Sequence, residues 1–194
     1  MIKAIKILET QIHFVMNLTI NIEYLIELNN IQEKGRSETL IKRGYINHIA
    51  RLVMDDTILK IYKLIDDDNY NFSKIQSEAY KINGVKEREE FNLFVKQTRE
   101  INKLSQELNF NGLRNMYVAH HDENRQPIPA NIFEWEKLVN MIYEAYDNIH
   151  YILKGSQVRW DSDKKILVQL LDDNSQMLKF ILEKKESNRN NRNN

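Results

Sequence analysis

The sequence predicts an all-α fold, and three observations predict it. Only five Gly and two Pro interrupt 194 residues, and both prolines, Pro127 and Pro129, fall in one place. Isoleucine, lysine and other long side chains fill most of the chain, a composition poor in helix breakers. Apolar residues recur at three- and four-residue intervals over long stretches, the period of a helix face, and no strand-like alternation stands out. Apolar residues make up 42% of the chain, enough for one domain with a proper core.

Residues 2–33 read as one long helix, with Ile5, Leu8, Ile12, Val15, Thr19, Ile22 and Ile26 on a heptad-like stripe. Gly35 stops it, and Ser37 serves as N-cap for a second helix over 38–66. That helix shows a wide apolar face of Ile46, Ile49, Leu52, Val53, Leu59, Tyr62 and Ile65, as expected of a central element touched from more than one side. It ends in Asp66-Asp67-Asp68-Asn69. Ser73 with Gln76 reads as a capping box opening a short helix to about Ile82, and Asn83-Gly84 stops it.

A further helix over 87–108 turns Phe91, Phe94, Val95, Ile101, Leu104 and Leu108 inward. Asn109-Phe110-Asn111-Gly112 is a break, followed by a short helix from Leu113 to His121 and a polar, proline-containing loop over 122–130. Residues 131–153 return to helix with Ile132, Trp135, Leu138, Ile142, Ala145, Ile149 and Ile152 on one side. Gly155 ends it, and 163–185 form a last helix. The expectation is a single helical domain over 1–186 and a disordered polar tail over 187–194.

Composition excludes several function classes. Zero cysteines exclude a disulfide scaffold, a thiolate nucleophile and a zinc ribbon. Lys3, Lys6 and Glu9 interrupt any signal-peptide-like apolar run, and no stretch of roughly eighteen apolar residues suggests a membrane span. A cytoplasmic protein is expected. Lysines and arginines number 28 against 28 acidic residues, so a strongly basic nucleic-acid coat is absent. No metal or cofactor motif is present: His13, His48 and His150 are isolated, and the Asp66-Asp67-Asp68 run reads as a solvated helix end rather than a Mg²⁺ site. Trp135, Tyr143, Tyr146 and Tyr151 fit core or dimer packing better than base stacking.

The run Arg114-Asn115-Met116-Tyr117-Val118-Ala119-His120, continued by His121 and Asp122, carries the chemistry. With Gly112 as the break, Arg114 falls in the first turn of a helix, whose free N–H groups favour phosphate. Arginine adds a planar, charged fork that matches phosphate oxygens. Histidine titrates near neutral pH and suits proton transfer. On a regular helix His120 lies about 9 Å along the axis from Arg114 and about 120° around it, whereas His121 lies nearly on the same face. A single regular helix therefore does not bring Arg114 and His120 onto one atom; they converge if the helix ends near His120, or if two copies of the motif face each other across a symmetric dimer.

Arg-Asn-x-x-x-Ala-His-x-Asp on a short helix in an all-helical chain resembles the HEPN superfamily (higher eukaryotes and prokaryotes nucleotide-binding), and within it the ribonucleases of bacterial abortive-infection systems. The order Lys63-Leu64-Ile65-Asp66, then Arg114 to Asp122, then Gln126-Pro127-Ile128-Pro129 follows the same plan, over most of residues 1–180. The resemblance implies an up-and-down helical bundle with additional short helices, forming a homodimer. It implies a metal-independent endoribonuclease acting on single-stranded RNA in a toxin or anti-phage role, with no cofactor and with a cognate antitoxin protein as a possible partner. Carried over, Arg114 binds and polarises the scissile phosphate, His120 transfers a proton and Asn115 orients the arginine or the phosphate. His121 is the rival for proton transfer. Tyr117, one turn from Arg114 and His121, is placed to line the same cleft, and Asp122 either holds a histidine tautomer or caps the helix. Two other readings stay open: a non-catalytic module of the superfamily that binds a nucleotide or a partner protein, and a helical-bundle interaction protein without an active site.

Overall fold

A computed structural model describes residues 2–31, 44–66, 69–115 and 131–158. These contain six helices and no strand: α1 (Ile2–Ile31), α2 (Gly44–Ile65), α3 (Phe72–Tyr80), α4 (Glu89–Glu107), α5 (Phe110–Leu113) and α6 (Ile132–Lys154). The fold is all-α, as the helical periodicity predicts. All six helices belong to one compact unit, Met1–Val158. The expected helix over 163–185, the tail and the loop over 122–130 lie outside the described residues. None of the described helices is long and apolar enough to cross a membrane.

The core is built around α6, which packs against both α1 and α4, while α2 packs against α1. Every position expected on the inner face of α6 is buried, from Ile132 and Trp135 to Ile149 and Ile152. Val139 and Tyr146 widen that face. The Tyr146 hydroxyl donates to the Leu8 carbonyl at 3.1 Å, tying α6 to α1, and burial pushes its ionisation far above the ordinary tyrosine range. Tyr146→Phe removes this buried bond and is expected to cost about 1 kcal/mol of stability, read from the urea midpoint.

On α1 the buried face is Ala4, Leu8, Gln11, Val15, Leu18, Ile22 and Leu25, flanked by Ile7, Asn21 and Leu28. Ile5, Ile12, Thr19 and Ile26 of the expected stripe are only half-buried. The polar side chain of Gln11 is the reason the stripe is displaced. It is fully buried with its amide N–H donating to the Tyr70 carbonyl at 2.7 Å, which offsets part of its desolvation, while its Oε1 has no hydrogen-bond partner among the described residues. Asn21 is buried for a similar reason, donating to Asp56 of α2 at 2.8 Å.

The face of α2 departs further from expectation. Ala50, Met54, Thr57, Ile58, Ile61 and Leu64 are buried, whereas Ile49, Val53, Leu59, Tyr62 and Ile65 are half-buried and Leu52 is exposed. The true face contains a small and a polar residue, so counting large apolar side chains pointed one strip to the side. Thr57 is accommodated by donating its hydroxyl to the Val53 carbonyl of its own helix at 2.7 Å.

The caps also differ from the sequence reading. α3 is opened by Asn71, not by a Ser73–Gln76 box: the Asn71 side chain accepts from the Lys74 N–H at 2.7 Å. Phe72, the first helical residue, is buried against Phe94, which fixes the earlier start. α4 begins after Arg88, which has no side-chain capping bond there. Its guanidinium instead donates to the Ile152 carbonyl at 3.1 Å and lies over the Tyr151 ring, joining the start of α4 to the end of α6. α6 ends at Gly155, whose φ of 73° is the left-handed conformation that glycine adopts without a Cβ penalty.

Candidate functional site

The segment that carries Arg114 starts from a left-handed residue. Asn109 has φ 54° and ψ 42°, an uncommon conformation for a side-chain-bearing residue and one that asparagine tolerates best. It separates α4 from α5 and opens α5, and its side-chain oxygen accepts from the Gly112 N–H at 3.3 Å. The helix break is therefore Asn109, and Gly112 lies inside the new turn. The Asn109 side chain folds over Gly112, and a Cβ there would push that side chain aside and disturb the cap.

This placement corrects the expected setting of Arg114. It follows α5 and its own N–H is bonded back to Asn111 and Phe110, so it does not sit in the first turn beside free N–H groups. A phosphate at this arginine would be held by the side chain and not by a helix N-terminus. The backbone continues helical through Arg114 and widens into a π-type turn at Arg114 and Asn115.

Two contacts hold the turn in place. Phe110 is buried against Trp135 of α6, ring centroids 4.8 Å apart. The Arg114 guanidinium lies over the Tyr62 ring of α2, 4.2 Å from its centroid. Such cation–π stacking favours arginine over lysine and fixes the plane of the fork. Arg114 is half-buried, and among the described residues its guanidinium makes no ion pair or hydrogen bond. A guanidinium held on a ring and without an ionic or hydrogen-bond partner among the described residues suits an anion. Asn115 is exposed beside it.

Of the residues singled out in the sequence, Arg114 and Asn115 are thus placed at the exit of the Asn109-capped turn. Tyr117, His120, His121 and Asp122 lie outside the described residues. Asp66, read as a solvated helix end, is exposed at the end of α2, while Asp67 and Asp68 lie outside the described residues. Among the described residues no group of His, Asp or Glu is placed to hold a metal ion. His13 and His48 are exposed, and His150 pairs its Nδ1 with the Ser156 carbonyl at 2.6 Å.

Sequence reading missed the ground beside Arg114. α2 and α4 make little direct contact with each other, and the α5 turn bridges them. The gap is a cleft of about 180 Å³ lined by Ile61, Tyr62, Ile65 and Asp66 from α2, by Asn102, Ser105 and Gln106 from α4, and by Asn109, Phe110 and Asn111. Its signal was present but faint: Tyr62/Asp66 and Asn102/Gln106 are each spaced by four residues, so each pair shares one helix face.

Asn109 is the keystone of this corner, which gives a direct test. Asn109→Ala loses both the cap and a residue tolerant of the left-handed conformation, and is expected to cost about 1–2 kcal/mol in urea unfolding. Asn109→Gly keeps the backbone conformation and should cost only about a few tenths of a kcal/mol. Equal costs would show that the left-handed turn is not what positions α5.

The described structure is an all-α fold with a small polar cleft and, over the ring of the cleft residue Tyr62, an arginine with no ionic or hydrogen-bond partner among the described residues. No protein-family model, curated protein or solved structure matches the chain.

Proposed function

We propose that this protein is a metal-independent endoribonuclease of HEPN type, acting on single-stranded RNA in a toxin or anti-phage abortive-infection role, with its active site shared across a homodimer. The reading rests on the Arg114-to-Asp122 motif. The structural observation that carries it is the Arg114 guanidinium, stacked on Tyr62 and left without an ionic or hydrogen-bond partner among the described residues. A guanidinium held in this way is suited to a phosphate diester, whose two free oxygens match its fork.

In this mechanism Arg114 binds the scissile phosphate and stabilises charge as it develops on the non-bridging oxygens. Asn115 orients the fork or the phosphate by hydrogen bonding. A histidine, His120 with His121 as rival, takes the proton from the attacking ribose 2′-OH or supplies one to the leaving 5′-oxygen. The 2′-oxygen forms its bond to phosphorus as the bond to the 5′-oxygen breaks, giving a 2′,3′-cyclic phosphate and a free 5′-OH. The protein's own residues supply each of these roles, so cleavage should persist in EDTA. In two facing copies, the arginine of one chain and the histidine of the other reach the same phosphate. Tyr117 and Asp122 are assigned supporting roles in the cleft.

The test is incubation of purified protein with single-stranded RNA in EDTA, with the ends of the products identified. Cleavage to 2′,3′-cyclic ends, lost in Arg114→Ala and His120→Ala, supports the enzyme. Absence of cleavage together with binding of a nucleotide or a cognate protein would favour the non-catalytic module instead.

A further inference from the structure

We propose that the cleft between α2 and α4 is a guanine-binding subsite, which seats the base of the nucleotide whose phosphate lies on Arg114. The assignment of the phosphate rests on the ribonuclease reading; the assignment of the base rests on the cleft itself.

Size comes first. A volume of about 180 Å³ falls below the roughly 300–1,000 Å³ of sites for drug-sized ligands. It suits one flat heterocycle and not a whole nucleotide. Ile61, Ile65 and Phe110 supply apolar wall for the faces of a ring, and polar side chains supply the rim.

Polar chemistry comes next. Asp66, Asn102 and Gln106 all line the cleft, and none of their side chains has a hydrogen-bond or ionic partner among the described residues. Ionised Asp66 can only accept, whereas the two amides each donate and accept. Guanine presents N1–H and N2–H side by side, a pair of donors that matches the two oxygens of a carboxylate, and presents O6 and N7 to amide donors. Uracil sets a single N–H between two carbonyls. Adenine and cytosine each place a ring acceptor beside their one amino group, which a carboxylate repels. Guanine is the base that satisfies all three side chains.

Placement supports the same conclusion. Asp66 is at the C-terminal end of α2, where the helix dipole disfavours a negative charge, so helix stability gives no reason for a carboxylate there. Tyr62 both lines the cleft and carries Arg114 on its ring, so base and phosphate sites share one side chain. A base can enter such a cleft only when splayed out of a stack, which selects single strands over duplex.

The test is calorimetric titration of the full-length protein with the four nucleoside 3′-monophosphates and with inorganic phosphate. Guanosine 3′-monophosphate should bind most tightly. Asp66→Asn should weaken it roughly tenfold, through loss of a bidentate pair, and leave inorganic phosphate unchanged. Asn102→Ala should reduce the same preference, and Arg114→Ala should weaken all five ligands. Asp66 is exposed, so its variant is expected to fold, and a thermal melt checks this. Equal affinity for the four nucleotides, no binding of guanosine 3′-monophosphate, or a guanine preference that survives both Asp66→Asn and Asn102→Ala would overturn the proposal. A guanine preference dependent on Asp66 in a protein that cuts no RNA keeps the subsite and removes the ribonuclease reading. Cleavage indifferent to base and to Asp66 does the reverse.

Discussion

Arg114→Ala is expected to lower RNA cleavage about 10²–10³-fold while leaving the fold nearly unchanged. The two effects separate because the side chain does two unequal things. Its stacking over Tyr62 at 4.2 Å is worth about 0.5–1 kcal/mol at a half-exposed site, a small part of a domain's stability. Its charge on a phosphate that gains negative character in the transition state is worth several times more. Arg114→Lys sharpens the point: it keeps the charge but loses the planar fork and the stacking, so it should restore only part of the activity. His120→Ala should cost about 10²–10⁴-fold, the usual range for a positioned acid or base. His121→Ala decides between the adjacent histidines, since the larger loss marks the group that moves the proton. Mixing Arg114→Ala and His120→Ala chains tests the shared site. If each variant is inactive alone and the mixture regains activity, the arginine and histidine come from different chains. Full activity of Arg114→Ala would sink the phosphate-clamp reading.

Trp135→Ala should give the largest loss of stability of any single change considered, about 3–5 kcal/mol by urea unfolding. Trp135 is 1% exposed and among the largest fully buried side chains. Its removal leaves a cavity under the first turn of α6 and strips Phe110 of its ring partner at 4.8 Å. A contact of this kind adds about 0.5–1.5 kcal/mol beyond burial. Trp135→Phe should cost much less. The indole Nε1 is buried with no hydrogen-bond partner among the described residues, so exchanging it for a phenyl ring sacrifices no hydrogen bond. The consequence reaches the site, because Phe110 opens the turn that ends at Arg114. Trp135→Ala should therefore weaken inorganic phosphate binding under conditions where the variant is still folded, and Trp135→Phe should not. A loss below about 1 kcal/mol for Trp135→Ala would mean that α5 is not anchored through this pair.

How far the sequence could be read depended on the side chains of each element. On α6, large apolar residues occupy every buried turn, so periodicity alone located the face from Ile132 to Ile152. On α1, the buried row passes through Gln11 and Asn21, and a search for apolar residues stepped over them to Ile12. On α2, Ala50 and Thr57 are buried while Leu52 is exposed, and the larger residues drew the expected face sideways. The candidate site was legible to a similar degree. Arg114 and Asn115 stood out by residue type and spacing. Tyr62, Asn102 and Gln106 did not, and Asp66 read only as a helix end, because α2 and α4 lie far apart in the chain and nothing local marks their residues as neighbours.

Sequence by itself determined that this chain is helical, where most of its helices run, and which arginine carries the most chemical promise. These are local properties: breaker content, the helical repeat and residue type act within a few residues of one another. Tertiary structure decided which strip of each helix is buried, that Asn109 and not Gly112 turns the chain, and that Arg114 rests on Tyr62 beside a polar cleft. Those outcomes depend on partners distant in the chain. Gln11 is buried where the Tyr70 carbonyl receives its amide, and the cleft lies where α5 packs on both α2 and α4, which make little contact with each other.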